Sequence, residues 1–223
     1  MVHVLELMSK ICVIKILRLP AKQFICKDEE LNIAKLKNFS LESSPDVICC
    51  MPLVIREATI DDAWLIANIS HQTFYETFAA QNSKEDMDKF LNQQFTKGRL
   101  MMEVGAKGNT FLLAYDGQDI AGYVKIRDEK IPLSMGNVTA LEIARLYAMS
   151  NQIGKGVGSV LMQSCIDIAK QRDKEWLWLV VWEKNQRAID FYSKWGFVKF
   201  DETDFLLGDD VQRDWLMKRK VEF

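Results

Sequence analysis

The chain has 223 residues, of which 48% are apolar and 27% charged. That balance belongs to a globular protein and excludes a mostly disordered chain, a collagen-like repeat and a disulfide-stapled miniprotein. Lys plus Arg is 29 against 31 Asp plus Glu, a net charge of −2, the wrong sign for a protein held to nucleic acid by phosphate contacts.

No run reaches the roughly 18 consecutive apolar residues of a membrane-spanning helix. Residues 1–20 are apolar but interrupted by Glu6, Lys10, Lys15 and Arg18. They lack the order of a secretory leader, which places positive charge before an unbroken apolar run. A cytoplasmic location with reduced thiols is expected. The five cysteines (Cys12, Cys26, Cys49, Cys50, Cys165) form no C-x-x-C pair, and the histidines are His3 and His71. Tetrahedral zinc needs four closely spaced ligands, so no metal site is expected.

Residues 1–50 hold four of the five cysteines and show no firm hydrophobic period. They are read as an N-terminal extension, either disordered or the product of a misassigned start at Met51. Residues 51–223 are read as one domain. A short strand is predicted at 53–57, followed by a turn into a helix at 62–74 with Ala63, Ile66, Ala67, Ile69 and Ser70 on its inner side. Ser83-Lys84-Glu85-Asp86 has the form of a capping box and opens a second helix. A third helical piece is expected near 99–104. Strands at 110–115 and 120–127 flank Asp116-Gly117, a strong hairpin signal. A long strand at 140–149, a helix at 156–171, a strand at 176–182, a helix at 185–195 and strands near 198–206 and 213–218 complete the chain. Antiparallel strands followed by strand–helix–strand–helix–strand predict an α/β fold with a mixed, largely antiparallel twisted sheet of six to seven strands.

The sharpest local feature is Gln152-Ile153-Gly154-Lys155-Gly156-Val157-Gly158-Ser159, set between an apolar strand and an amphipathic helix. Alternate glycines let backbone approach a ligand and expose N–H groups, and the helix adds a partial positive charge at its start. Together these suit a phosphate or pyrophosphate. The spacing fits neither a Walker A loop nor G-x-G-x-x-G. Loops of this kind also occur without a ligand.

A second motif follows one strand later, Asn185-Gln186-Arg187-Ala188-Ile189-Asp190-Phe191-Tyr192-Ser193-Lys194-Trp195-Gly196-Phe197. With the glycine loop it resembles the GCN5-related N-acetyltransferase (GNAT) superfamily, over essentially all of 51–223. Gln72-Thr73-Phe74-Tyr75-Glu76-Thr77-Phe78, and the stretch from Leu207 to Asp214, are similar in wording to bacterial polyamine-type members. One departure stands out. Family loops carry Arg or Gln three places before the second glycine, where this chain has Ile153, with Gln152 one place early. The side-chain contact to phosphate is therefore expected to be missing while the backbone contacts remain.

The resemblance implies acetyl-CoA as donor and a small-molecule primary amine as acceptor, with no nucleic acid or membrane partner and a homodimer allowed. Gly154, Lys155, Gly156, Val157, Gly158 and Ser159 would take the pyrophosphate. The backbone of Leu146, Tyr147 and Ala148, on a splayed strand, would hold the pantetheine arm. Asn185 would bond it from the other side while capping its helix.

An alkylamine with a pKa near 10.4 is almost wholly protonated at pH 7, so attack needs roughly 4–5 kcal/mol of deprotonation. Glu142, a charge within an apolar strand, matches the place of a family base. The alternative is a pair with Arg145 or a surface lysine, and three-residue spacing on a strand weakens the first of these. Tyr192 matches the family tyrosine that protonates the leaving thiolate; the alternative is core packing beside Phe191. Tyr75, Glu76 and Phe78 would line the acceptor site, with His71 nearby. Asp201, Glu202, Asp204, Asp209 and Asp210 would add negative charge. Cys165 falls on a helix stripe with Val157, Val160, Leu161, Ser164 and Ile168, and reads as core filler, so direct attack is expected over an acetyl-cysteine intermediate. A protein lysine or N-terminal acetyltransferase and a catalytically weak CoA-binding regulator are the competing readings.

Overall fold

The computed structural model describes residues 52–128 and 131–223. The expectation for residues 1–50 lies outside them. In chain order the elements are β1 (Val54–Glu57), α1 (Ala63–Phe78), α2 (Lys84–Gln93), α3 (Lys97–Glu103), β2 (Asn109–Asp116), β3 (Asp119–Arg127), β4 (Ala140–Ala148), α4 (Val157–Gln171), β5 (Trp176–Trp182), α5 (Gln186–Lys194), β6 (Val198–Leu207) and β7 (Asp210–Lys220). The seven strands form one sheet in the order β1-β2-β3-β4-β5-β7-β6. Among them β4 and β5 are the parallel neighbours, and the rest run antiparallel. A parallel pair needs a long crossover, and α4 supplies it.

Local chemistry sets the element ends. The Ser83 hydroxyl accepts from the Asp86 N–H at 3.0 Å, and the Thr96 hydroxyl accepts from Arg99 N–H at 3.3 Å, so both short helices begin at a side-chain cap. The Asp62 carboxylate accepts from the Thr59 N–H at 2.8 Å and pairs with both ends of the Arg56 guanidinium, tying β1 to the entry of α1. α1 runs four residues past the predicted end, to Phe78. No Gly or Pro stops it, and Phe74 buries against Phe90 and Phe95 with half-buried Phe78 beside it.

The two faces of the sheet are covered unequally. On one face α4 and α5 pack Val157, Leu161, Met162, Cys165, Ile189 and Tyr192 over Leu141, Ile143, Leu177 and Leu179. The buried stripe of α4 is Val157, Leu161, Met162, Cys165, Ile166 and Ala169, which corrects the predicted stripe by a partial turn: Val160 is exposed. On the other face α1 and α3 cover β2 and β3, with Ile66, Ile69 and Val104 over Phe111, Leu113 and Tyr123. All five residues assigned to the inner side of α1 are buried. Beyond β4 this second layer thins, and Val180, in the middle of the central strand β5, is 39% exposed.

A β-bulge at Ala144 changes the parity of β4. Lys125 faces Arg145 across the ladder, yet the adjacent Ile126 faces Ile143, so Ala144 is extra. Leu141 and Ile143 before the bulge, and Leu146 and Ala148 after it, all pack toward α4. Glu142 and Arg145 therefore share the opposite face despite their three-residue spacing, which overturns the simple alternation argument. They are still not paired. Arg145 goes to Glu103 of α3 at 2.6 Å, and Lys125 joins it there at 3.1 Å. Burial works against the Glu103 carboxylate, but Arg145 and Lys125 outweigh it and hold its pKa below the ordinary value. This cluster fixes α3 to the sheet. Among the described residues no helix is long and apolar enough to cross a membrane.

Candidate active site

The parallel pairing of β4 with β5 is short. It joins Ala140 to Trp176, Leu141 to Leu177 and Glu142 to Trp178, and then stops. From Ile143 to Ala148, β4 keeps its antiparallel partner β3 but has no strand on its other edge. The strands splay, and alternation along β4 turns the N–H groups of Leu146 and Ala148 toward the gap, while that of Tyr147, like that of Met149, faces β3. The Ala144 bulge lies just past the vertex, where the added bend of a bulged strand assists the divergence.

The glycine loop stands at the open end of the splay. Gly154 and Gly156 have φ of 86° and 85°, and Gly156, in the left-handed region, is the residue before α4. Such angles favour glycine over any residue with a Cβ. Val160 is the first residue of this turn whose N–H finds a backbone carbonyl, that of Gly156 at 3.1 Å. The N–H groups of Val157, Gly158 and Ser159 are open, as at any uncapped helix start. Within the loop Lys155 N–H is spent on the Gln152 carbonyl at 3.2 Å. The Gln152 side chain is buried and reaches Asp116 at 3.4 Å, away from these donors. A cluster of free N–H groups at a helix start fits a diphosphate.

Gly122 on β3 is a residue that the motifs did not reveal. A Cβ there would lie 2.5 Å from the Tyr147 carbonyl oxygen and 2.8 Å from a Val157 methyl. Only hydrogen lets β3, β4 and the start of α4 approach this closely. An isolated Gly inside a strand pattern was the available signal.

Asn185 caps α5, its side-chain oxygen accepting from the Ala188 N–H at 3.2 Å. Tyr192 lies on α5 against Phe191 and Phe197 and is buried. Burial raises its hydroxyl pKa, so it stays protonated at neutral pH. Burial likewise raises the Tyr147 hydroxyl, and nearby Tyr123, Tyr192 and Asp214 add to the effect. Cys165 is fully buried in the core, which pushes its thiol up to about 12 and suits it poorly to nucleophilic work.

Glu142 sits at the vertex and is 4% exposed. Both of its oxygens are engaged by Arg127 of β3, at 2.6 Å from Nε and 2.7 Å from Nη2. The partner is neither Arg145 nor a lysine. Arg127 lies directly across the ladder from Glu142, a relation that only the strand register reveals.

The acceptor-side residues are split. Phe78 reaches the splay region, its ring edge-on to Trp182 at the end of β5 with centroids 5.9 Å apart. Tyr75 is exposed, and Glu76 accepts from Gln72 on the same helix at 2.8 Å. His71 is partly buried, and burial together with Lys97 lowers its pKa. The acidic residues of β6 and its turn are largely answered by cations: Glu202 by Lys199 and Arg213, Asp204 by Arg213, and Asp209 by Lys89. Glu183, Asp204 and Asp210 line an open pocket of about 260 Å³ with Trp182, Lys184, Gln212 and Arg213.

Asp214 of β7 was not singled out in sequence. Its backbone partners are Trp182 on one side and Thr203 on the other. It is 8% exposed, and its Oδ1 has no hydrogen-bond partner. Burial, and secondarily Glu183, push its carboxyl up to about 6. β7 is polar along much of its length, with Gln212 and Arg213 just before Asp214, so nothing in the sequence set it apart.

A mixed sheet that opens beside its one parallel pair, with helix-start amides at the mouth, defines a protein that binds a diphosphate-bearing carrier between two strands. The sequence profile of the acetyltransferase (GNAT) family matches residues 67–197. An uncharacterised N-acetyltransferase of Lactobacillus delbrueckii subsp. lactis is 37% identical over 154 residues, covering 69% of this chain and 88% of that one. The spermidine N(1)-acetyltransferase of Thermoplasma acidophilum is 24% identical over 176 residues, 77% of this chain and 99% of the relative. In structure, the PaiA N-acetyltransferase of Thermoplasma acidophilum, solved with coenzyme A, superposes with a TM-score of 0.61 at 22% identity, covering 76% of this chain and 99% of that one. The chain belongs to the GNAT family. It is an N-acetyltransferase, an acyltransferase with acetyl-CoA as its co-substrate.

Proposed function

We propose that the acceptor is a small polycationic amine of the polyamine class, acetylated by direct attack in a ternary complex. The supporting observation is the pocket beside the splay, where Glu183, Asp204 and Asp210 are grouped with Trp182 and outnumber the two cations there, Lys184 and Arg213. Carboxylates next to an aromatic surface suit an extended cation with methylene spacers. The relative named for spermidine acetylation points the same way. In this reading Phe78 forms part of the wall, while Tyr75 and Glu76 border the approach.

Acetyl-CoA supplies a thioester whose acyl carbon accepts the nitrogen. The chain's own groups do the rest. The open amides of Val157, Gly158 and Ser159, reached past Gly154 and Gly156, take the diphosphate, and the free edge of β4 at Leu146 and Ala148 orients the arm and polarises the carbonyl. Asn185 borders the other wall. Tyr192, kept protonated by its surroundings, donates to the departing sulfur, whose ordinary pKa near 8.5 makes it a modest leaving group. In this reading Glu142, held on both oxygens by Arg127, serves as an anchor at the vertex.

An amine panel assayed by free-thiol release tests the acceptor. Spermidine, spermine or a short diamine is expected to turn over best. Preference for a peptide α-amine or lysine would overturn the polyamine reading. Acetyl-CoA binding without turnover of any amine would instead favour a regulator.

A further inference from the structure

Resting on the amine-acetylating reading above, we propose that the Asp214 carboxylate receives the acceptor ammonium and takes its proton before attack. Four observations place it for that work. Asp214 stands beside Trp182 at the end of β5, where the splay is widest. It lies on the sheet face that the helices leave thin, the face where Val180 is open to solvent and where Gln212, two residues before it, reaches Asn82 after α1. It is near enough to Tyr147, across the gap, to raise that hydroxyl's pKa. Its Oδ1 is buried with nothing to bond.

A buried carboxylate oxygen without a donor is costly, and such groups in native structures call for a reason. An incoming ammonium provides one: it carries N–H donors and the missing positive charge. Among the described residues no cation is paired with Asp214. The neighbouring Arg213 is directed to Glu202 and Asp204, and Lys184 lies over the Trp182 ring. The charged and titratable groups around Asp214 are Glu183 from the end of β5 and Tyr147 from β4. Burial, and then Glu183, disfavour its ionised form and push its carboxyl up to about 6, and a weaker acid is a better proton acceptor near neutral pH.

The protons balance. The ammonium gives one to Asp214, its freed lone pair forms the N–C bond as the C–S bond breaks, Tyr192 protonates the departing thiolate, and the second proton lost by nitrogen restores the Tyr192 hydroxyl. Asp214 then releases its proton to solvent through the open face.

The test uses the full chain, spermidine and acetyl-CoA. In the parent protein kcat/KM for the amine should fall with unit slope below about pH 6. Asp214→Asn should lower kcat/KM about 10³-fold and remove that acid limb, with acetyl-CoA affinity by calorimetry changed less than twofold. Asp214→Glu should recover part of the rate. Independently of turnover, carbon NMR of labelled aspartate should show one carboxyl titrating near 6 that is missing from Asp214→Asn. An acid limb that persists in Asp214→Asn, or a carboxyl titrating near 4, would overturn the assignment of Asp214 alone. A parent protein that binds acetyl-CoA but acetylates no amine in the panel would overturn the amine reading and this role with it.

Discussion

Two carboxylates are buried on the same face of the sheet, at opposite ends of the splay, and they live in contrasting surroundings. Glu142, at the vertex, has each oxygen bonded to Arg127. Asp214, at the mouth, leaves one oxygen without a donor. The first is a satisfied pair, whose loss of one partner is expensive. The second is an incomplete site, whose missing partner is a cation. In sequence Glu142 stands out as the single acid of a largely apolar strand, whereas Asp214 is hidden among the polar residues of β7. The contrast teaches that a buried acid becomes a candidate for chemistry through what its neighbours withhold.

The sharpest way to break this comparison is the Asp214→Asn kinetics given above. Next in size is Tyr192→Phe, which should lower kcat about 10²-fold with acetyl-CoA affinity nearly intact. Stopped-flow thiol release checks it, and an unchanged kcat would return Tyr192 to simple core packing. Glu142→Gln sharpens the other side. It leaves the Arg127 charge uncompensated and should cost about 1–3 kcal/mol of stability, read as a melting temperature lower by several degrees. The shape of the pH–rate profile should not change; a rate defect growing toward low pH would mark Glu142 as the base after all.

A smaller effect is expected at the loop. Gly156→Ala puts a Cβ on a residue at φ 85°, a strain of about 1–2 kcal/mol. Acetyl-CoA affinity should weaken about tenfold in calorimetry. A last effect, on stability alone, runs opposite in sign. The Asp214 carboxyl goes from an ordinary 3.8 to about 6 in the folded state, so ionising it costs folded stability. Stability should decline as pH rises from about 4 to 6 and stay lowered above. Asp214→Asn removes that cost and should melt slightly higher than the parent at pH 8, by an amount worth about 1–3 kcal/mol at most, with the difference vanishing near pH 4. A more stable but slower variant is the expected signature of a site residue.

Much of the carrier-binding side was legible in the chain. Alternate glycines between an apolar strand and an amphipathic helix are a local pattern, and their chemistry is that of backbone amides, which depends on few distant residues. Asn185 as a helix cap and Tyr192 on the helix after it followed from one continuous motif. The acceptor side was only partly legible. Phe78 was named and does meet Trp182, but Trp182 itself, Gly122, Arg127 and Asp214 acquire meaning from strands far apart in sequence.

The sequence by itself determined the order of elements, the inner face of α1, the hairpin, the glycine turn and the burial of Cys165, because each depends on period, turn chemistry or a short motif. Tertiary structure alone decided which charges meet. The Ala144 bulge reversed the facing of half of β4, the β3–β4 register set Arg127 against Glu142, and the β5–β7 register set Asp214 beside Trp182. Register and bulges arise from the packing of whole faces against one another, and the energy of a buried charge depends on every group within a few ångströms of it, most of them distant along the chain.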